Sequence, residues 1–275
     1  MEDVRLVAFD LDDTLFNRKK EITPATFRAL ERAASMGIEI VPATGRFWGA
    51  VPDNLKALEF VHYAITLNGA EVFSVKDMKT LAEFLIPVER AVTLCRVFDE
   101  LPVIYDFVAG GKGFMRRDNH DVLDKFMYGP WQAKIVREMR APVDDVYEVL
   151  RASGGVQKMQ IYTLDNELRE NLLKSFPHVF PKLLFTSSVP NNIEINDTNA
   201  NKGHALKFLA EYLGVPMGST LAFGDGLNDI QMLEMAGRGV AMANACREAL
   251  NASDYVTLDC DNDGVAEGIK RFCFR

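Results

Sequence analysis

Two aspartates, Asp10 and Asp12, follow a mostly apolar segment near the start of the sequence. Residues 4–9 contain the valine and phenylalanine typical of a strand that is buried on both faces of a parallel sheet. Alternate residues of an extended chain point the same way, so the two carboxylates converge and repel each other unless a cation lies between them. Their hard oxygen ligands suit Mg²⁺. The pair alone also fits a strand followed by a solvated acidic turn.

A second acidic segment lies near the other end of the sequence. Residues 219–223 predict a strand, and the next six residues read Gly-Asp-Gly-Leu-Asn-Asp, which places Asp225, Asn228 and Asp229 directly after it. In open α/β sheets, ligands bind at the carboxyl ends of the strands. An acidic turn is the alternative, although such turns usually do not lead straight into an apolar helix such as residues 230–236.

Two further segments carry groups that could bind a phosphate. Thr44, Gly45 and Arg46 end the predicted strand at residues 38–43, and they supply a hydroxyl, a residue without Cβ and a guanidinium. This composition favours contact with phosphate oxygens, and an ordinary turn is the alternative. Lys202 follows Asn201, which can cap a helix. Because the helix dipole disfavours a cation in the first turn, this lysine either faces solvent or binds a nearby anion.

The elements that must position these residues form an α/β pattern. Thr23 and Pro24 predict a helix start, and the strand–helix–strand unit that results implies a right-handed parallel crossover. We predict a Rossmann-like parallel-sheet core from residues 1–83 and 187–275. Residues 84–186 interleave strands and helices without acidic or glycine-rich strand ends, which indicates an inserted α+β cap domain.

Two strands are predicted near the second boundary of the insert. Residues 193–195 predict a strand that leads to Lys202 and therefore belongs to the core. Residues 156–163 alternate enough to form a half-buried strand, and we expect residues 182–185 to pair with it.

Composition limits the classes of function. The chain has 275 residues, of which 48% are hydrophobic and 25% charged, and its formal net charge of -8 argues against a general nucleic-acid binder. No stretch approaches the roughly 18–20 apolar residues of a membrane span. The four cysteines include no Cys-x-x-Cys pair, which fits reduced thiols. An acidic start that enters a strand at once is not typical of a signal peptide, so we expect a cytoplasmic protein.

The order and strand-end placement of these segments resemble the four motifs of the haloacid dehalogenase-like superfamily. The motifs fall on residues 10–15, Thr44, Lys202 and residues 224–229. The segments Asn-Lys-Gly and Gly-Asp-Gly-x-Asn-Asp are especially similar to the Cof-like phosphatases, whose cap domain is inserted between the second and third motifs. One departure is Asp13, which occupies a position that is usually glycine. We expect it to alter local geometry and charge without removing a catalytic role.

The resemblance implies a Mg²⁺-dependent phosphatase that hydrolyses a small phosphate monoester, a sugar phosphate or related metabolite, through an aspartyl-phosphate. Asp10 would be the nucleophile and Asp12 the general acid and base. The insert would close over the strand ends as a lid and select the substrate. The other roles that the resemblance implies are Mg²⁺ binding by Asp10, the Asp12 backbone carbonyl and Asp225, phosphoryl-oxygen binding by Thr44, Gly45, Lys202 and Asn228, and orientation of Lys202 or a metal-bound water by Asp229.

Two alternatives remain. The first is a phosphosugar mutase of the same fold, which would return phosphate to the bound product. The second is a non-catalytic phosphate-binding regulatory module, against which Asp12 argues, because a receiver needs no acid or base two residues after its phosphorylated aspartate. A P-loop kinase is excluded, since the sequence has no Gly-x-x-x-x-Gly-Lys-Ser/Thr.

Overall fold

The computed structural model describes residues 2–187 and 189–274. The chain divides into two compact units, which we call the core (Met1–Ala82 and Asn201–Arg275) and the insert (Glu83–Ala200). The strands, in chain order, are β1 (Leu6–Phe9), β2 (Glu39–Pro42), β3 (Tyr63–Thr66), β4 (Glu71–Ser74), β5 (Lys79–Glu83), β6 (Ile104–Ala109), β7 (Lys112–Arg116), β8 (Ala141–Val143), β9 (Lys158–Tyr162), β10 (Leu183–Thr186), β11 (Asn192–Asp197), β12 (Thr220–Gly224), β13 (Arg238–Ala241) and β14 (Tyr255–Val256). The α-helices are α1 (Pro24–Ser35), α2 (Asp53–Lys56), α3 (Val88–Asp99), α4 (Arg117–Asp121), α5 (Pro130–Met139), α6 (Val146–Ala152), α7 (Asn166–Val179), α8 (Lys202–Tyr212), α9 (Ile230–Met235), α10 (Arg247–Ala252) and α11 (Gly264–Cys273).

The core is built on a parallel sheet in the order β14-β13-β12-β1-β2. Both faces of β1 are buried: Val7 and Phe9 belong to one apolar cluster with residues of α1 and α11, and Leu6 and Ala8 belong to another with residues of α8. This explains the continuous apolar run in the sequence. A bridge from Ala43 places β3 beside β2, and β3 continues into a small sheet with β4 and β5.

The predicted helix start at Thr23 is confirmed. The Thr23 side chain accepts a hydrogen bond from the backbone N–H of Thr26, and Pro24 is the first helical residue. Helix α1 then buries Leu30 and Ala33 fully, and the chain returns to form β2 parallel to β1. This crossover brings the ends of both strands to the same edge of the sheet.

The insert is a six-stranded, mainly antiparallel sheet in the order β10-β11-β9-β6-β7-β8. Residues of α3, α6 and α7 share an apolar cluster with alternate residues of its strands. The expected fold class, a parallel-sheet α/β core with an inserted α+β domain, is therefore confirmed.

Strand β11 corrects two predictions. It was expected to be a core strand, but it pairs with β9 on one side and β10 on the other. The predicted pairing of residues 182–185 with residues 156–163 is therefore wrong, because β11 lies between those strands. The core also resumes at Asn201 and not at residue 187. Ile193 and Ile195 are fully buried in the apolar cluster of the insert, and an Ile-Glu-Ile pattern fits a strand of either sheet equally well.

Candidate active site

Lys202 joins two carboxylates of the core. Asp10 directly follows β1, and its backbone N–H donates to the Phe223 carbonyl of β12 at 3.0 Å. Lys202 is the first residue of α8, and its Nζ lies 2.6 Å from both Asp10 Oδ1 and Asp229 Oδ1. Burial lowers the pKa of Lys202, but the two carboxylates outweigh burial and raise it above the ordinary value. The solvent-facing alternative is wrong, because the side chain is completely buried.

Asp229 orients Lys202 and also closes the loop after β12. Its Oδ2 accepts hydrogen bonds from the backbone N–H groups of Asp225 and Gly226, each at 2.9 Å. Both oxygens of this buried carboxylate are therefore engaged. The loop packs so closely that a Cβ at Gly224 would lie 2.5 Å from the Asp229 Cβ, which explains the first glycine of the acidic segment.

A cluster of carboxylates at this strand edge could hold a cation. Ligand oxygens of Asp10, Asp225 and Asp229 lie within 4.8 Å of one another. Burial raises the pKa of Asp225 to about 6, with repulsion from Asp229 as a further cause. Burial also raises the pKa of Asp10, even though Lys202 lies beside it. Three carboxylates that share one ammonium leave excess negative charge, and this oxygen donor set fits Mg²⁺.

Two of the three cation ligands expected from the sequence, Asp225 and Asp10, differ in how they are held. Thr14 Oγ1 donates to Asp225 Oδ1 at 2.6 Å, and one carboxylate oxygen of Asp225 belongs to the cluster. Asp10 is held at Oδ1 by Lys202. The third expected ligand is the backbone carbonyl of Asp12. The side chain of Asp12 contacts Arg46 and Lys20.

Thr44 and Asn228, two of the expected phosphate ligands, are joined through Asn68. The Thr44 carbonyl accepts from the Asn68 backbone N–H at 3.0 Å, and Asn228 Nδ2 donates to Asn68 Oδ1 at 3.1 Å. Gly45 lies beside Thr44 and is partly exposed. Sequence analysis missed Asn68, because an Asn-Gly pair is equally typical of a hairpin turn.

The loop that carries Asn68 has an unusual backbone. Leu67, Asn68 and Gly69 have φ angles of 54°, 60° and 95°, so all three lie in the left-handed region. The Leu67 N–H donates to the Arg46 carbonyl at 3.0 Å. A Cβ at Gly69 would lie 2.3 Å from the Asn201 carbonyl oxygen. Glycine is therefore required at residue 69 both by conformation and by this close approach.

The Asp12 side chain is not part of the carboxylate cluster formed by Asp10, Asp225 and Asp229. Arg46 Nε lies 3.0 Å from Asp12 Oδ2, and Arg46 Nη2 lies 3.0 and 2.9 Å from Oδ1 and Oδ2. Lys20 Nζ contributes a fourth contact, to Asp12 Oδ1 at 3.1 Å. Burial raises the pKa of Asp12, but Arg46 and Lys20 outweigh it and lower the pKa below the ordinary value. Arg46, expected at a phosphate, instead pairs with a carboxylate, and sequence analysis gave Lys20 no role.

Asp13 adopts the conformation that favours glycine. Its φ is 60°, in the left-handed region that aspartate tolerates better than most residues. Asn244 Nδ2 donates to the Asp13 carbonyl at 2.8 Å, and Asp13 Oδ1 lies 3.5 Å from Lys20 Nζ. The substitution thus keeps the turn and adds a negative charge beside Lys20.

A membrane-spanning helix is absent from residues 2–187 and 189–274, where every helix is too short or too polar to cross a bilayer.

Comparison with known proteins identifies the family. The model of the haloacid dehalogenase-like hydrolases matches residues 7–269. Phosphatase YwpJ of Bacillus subtilis is 31% identical, over 97% of this chain and 99% of its own. Pyridoxal phosphate phosphatase YbhA of Escherichia coli is 28% identical, over 96% of this chain and 97% of its own. The solved structure of the sugar phosphatase BT4131 superimposes with a TM-score of 0.81 at 27% identity, over 98% of this chain and 99% of that one. The chain belongs to the haloacid dehalogenase-like hydrolase family.

Proposed function

We propose that this hydrolase is a Mg²⁺-dependent phosphatase that acts on a small phosphate monoester, a sugar phosphate or related metabolite, through an aspartyl-phosphate on Asp10. The observation that carries the proposal is the buried Lys202, whose ammonium contacts both Asp10 and Asp229 at 2.6 Å. Asp10, directly after β1, supplies the nucleophile, and the Lys202 ammonium, held by Asp229, supplies a positive charge beside it. The names of the relatives, which include a sugar phosphatase and a pyridoxal phosphate phosphatase, support the reaction class.

The reaction has two steps. In the first, an Asp10 oxygen attacks phosphorus, the ester P–O bond breaks, and the leaving oxygen takes a proton from Asp12, which must carry that proton in this step although Arg46 and Lys20 favour its ionised form. In the second, water attacks phosphorus, Asp12 accepts a proton from that water, and the P–O bond to Asp10 breaks. Inorganic phosphate leaves, and Asp12 again carries the proton it needs for another cycle.

The other residues act by charge and orientation. Thr44, Gly45, Lys202 and Asn228 would hold the phosphoryl oxygens, and Asp229 would keep Lys202 in place. Mg²⁺, bound by Asp10, Asp225 and the Asp12 backbone carbonyl, would offset the negative charge of the transferring group. Phosphoryl transfer depends mostly on such positioning and electrostatics.

We assign substrate selection to the insert. Each residue given a role in the chemistry belongs to the core, while Glu83–Ala200 forms a unit with its own apolar cluster. Because the proposed chemistry does not require residues of the insert, their types can vary and thereby determine which leaving groups the enzyme accepts.

The test is release of inorganic phosphate from p-nitrophenyl phosphate and from a panel of sugar phosphates, nucleotides and pyridoxal phosphate, with Mg²⁺ and with EDTA. We expect hydrolysis only with Mg²⁺, and a phosphorylated protein after acid quenching. A mutase would move phosphate between sugar hydroxyls and release little of it. A regulatory module would bind phosphate without turnover, and either result would overturn the proposal.

A further inference from the structure

The Asp12 carboxylate is held by two cations, Arg46 and Lys20, that the proposed reaction does not use. We propose that Arg46, assisted by Lys20, is a positioning residue that sets the orientation of Asp12 and is not a ligand of the substrate phosphate. This inference rests on the proposed function, because it assumes that Asp12 acts as the general acid and base.

The geometry of the Arg46 contact fixes both the position of the Asp12 carboxylate and the orientation of its plane. Both Asp12 oxygens accept from one edge of the guanidinium, at 2.9–3.0 Å. Such a two-point contact restricts rotation in a way that a point charge does not. The Asp12 side chain is 37% exposed, so without this contact water would compete for both oxygens.

Arg46 is itself anchored on both sides. Its backbone N–H donates to Thr44 Oγ1 at 3.2 Å, and its carbonyl accepts from the Leu67 N–H at 3.0 Å. Its Nη1 contacts the Ala50 carbonyl at 3.4 Å. The loop after β2 therefore holds the guanidinium in place, and the guanidinium in turn holds the side chain of Asp12, which follows β1.

Lys20 adds a second support for the Asp12 carboxylate. Its φ of 61° is uncommon for a lysine, and the turn that holds it is closed by a hydrogen bond from its N–H to the Asn17 carbonyl at 2.8 Å. From this turn the ammonium reaches Asp12 at 3.1 Å and Asp13 at 3.5 Å. Asp13, in place of the usual glycine, thus supplies a second anion for the lysine that holds Asp12.

The charges in this group already balance. Arg46 and Lys20 are matched by Asp12 and Asp13, and the Nε–Nη2 edge of Arg46 is occupied by a carboxylate. Lys202, in contrast, faces a cluster with excess negative charge. Because Arg46 and Lys20 are already paired with carboxylates, they have no unmatched positive charge to offer a phosphate. On the Lys202 side, Mg²⁺ would offset the excess negative charge and allow a phosphate to bind.

Leaving-group dependence separates the two roles of Arg46. An alkyl phosphate has a poor leaving group that needs the Asp12 proton, whereas p-nitrophenolate leaves without one. A residue that positions Asp12 matters for the first substrate, and a residue that binds the phosphoryl group matters equally for both.

The experiment compares kcat/KM for p-nitrophenyl phosphate and for the best alkyl phosphate of the panel in Arg46→Met, Arg46→Lys and Lys20→Met. We expect Arg46→Met to lose about 100-fold on the alkyl phosphate, within the usual range for general acid catalysis, and much less on the aryl ester. Arg46→Lys keeps the charge without the two-point contact, so its kcat/KM should also fall more on the alkyl phosphate than on the aryl ester. The kcat/KM of Lys20→Met on the alkyl phosphate should fall less than that of Arg46→Met. In an Asp12→Asn background, Arg46→Met should add no further loss. Arg18→Met is the control, since Arg18 pairs only with exposed Asp261 among the described residues.

Several outcomes would overturn the inference. Equal losses on both substrates, a weaker inhibition by inorganic phosphate, or an added loss in the Asp12→Asn background would each make Arg46 a phosphate ligand. Thermal unfolding checks that each variant is folded. If Arg46→Met is unfolded, the comparison is made with Arg46→Lys. A wild-type protein that hydrolyses neither ester would refute the proposed function itself, whereas an active wild type with equal losses refutes only this inference.

Discussion

Asp229 Oδ1 lies 2.6 Å from Lys202 Nζ, and neither side chain is exposed to solvent. The other Asp229 oxygen holds two backbone N–H groups of the loop after β12. One carboxylate thus ties the start of α8 to the loop after β12.

Replacement of Asp229 by alanine should strongly destabilise the core. The change leaves the Lys202 ammonium with one fewer partner and frees two backbone donors, and removing one partner of a buried pair costs about 3–5 kcal/mol. Urea denaturation measures the free energy of unfolding. Glu211→Ala is the matched control, because its pair with Lys207 is exposed and should contribute at most about 0.5 kcal/mol. Similar losses in the two variants would contradict the importance of the buried pair.

Asp10→Asn should abolish phosphate release while the fold is retained. The amide has nearly the same shape as the carboxylate but is not a nucleophile, so no aspartyl-phosphate can form. Steady-state hydrolysis of p-nitrophenyl phosphate provides the measurement. Asp53→Asn, at a fully exposed side chain, serves as the control and should leave activity unchanged. A covalent mechanism is untenable if the Asp10 variant keeps more than a few per cent of wild-type activity.

Asp12→Ala should lose activity on alkyl phosphates and still bind Mg²⁺. The proposed metal ligand at this residue is the backbone carbonyl, and the carboxylate is engaged by Arg46 and Lys20. Calorimetric titration with Mg²⁺ tests this division of roles, with Asp225→Ala as a variant that should weaken binding. A folded Asp12→Ala protein that no longer binds the metal would show that the carboxylate itself is a ligand.

The stability of the metal-free protein should fall as the pH rises through about 6. Burial raises the folded-state pKa of Asp225 to about 6, above its ordinary value, so the folded protein binds this proton more tightly than the unfolded chain. The contribution is fully present below the unfolded-state pKa and is lost as the pH rises through the folded-state value. Urea denaturation in EDTA between pH 4 and 8 measures the slope. Asp225→Asn should flatten it, and an unchanged slope in that variant would assign the effect to other groups.

Gly69→Ala should reduce both stability and activity. A Cβ at residue 69 would lie 2.3 Å from the Asn201 carbonyl, and the φ of 95° is itself unfavourable for alanine. Gly37→Ala is a matched control, since its φ is 81° but no atom lies within 4 Å of the added Cβ. The control should lose about 1 kcal/mol of stability from conformational strain and keep its activity. Equal effects in both variants would mean that the close approach to α8 is unimportant.

The sequence predicted the parts of the site that depend on local patterns and on sheet topology. Asp10, Thr44 and Asp225 each follow a recognisable strand, and parallel strands bring their carboxyl ends to one edge of the sheet. Lys202 could be placed at a helix start because Asn201 is a recognisable cap. The Asn201 side chain accepts a hydrogen bond from the His204 backbone N–H at 2.9 Å.

What could not be predicted depends on contacts between distant segments. Nothing local distinguishes a strand of the insert from a strand of the core, so β11 was assigned to the wrong sheet. The Asn68–Asn228 hydrogen bond joins residues 160 positions apart, and the Asp12–Arg46 contact spans 34. In each case the residue type was compatible with several partners, and only the folded chain selects one.

The position of β1 between β2 and β12 has a consequence for biosynthesis. Strand β2 follows β1 after a single helix, but β12 follows only after the whole insert has been made. At about 5–20 residues per second, the β12 side of β1 remains unpaired on the ribosome for roughly 10–40 s. An unpaired apolar strand edge readily associates with other chains. The β1 edge is therefore exposed to such association until residues 220–224 emerge, whereas every strand of the insert is made before that point.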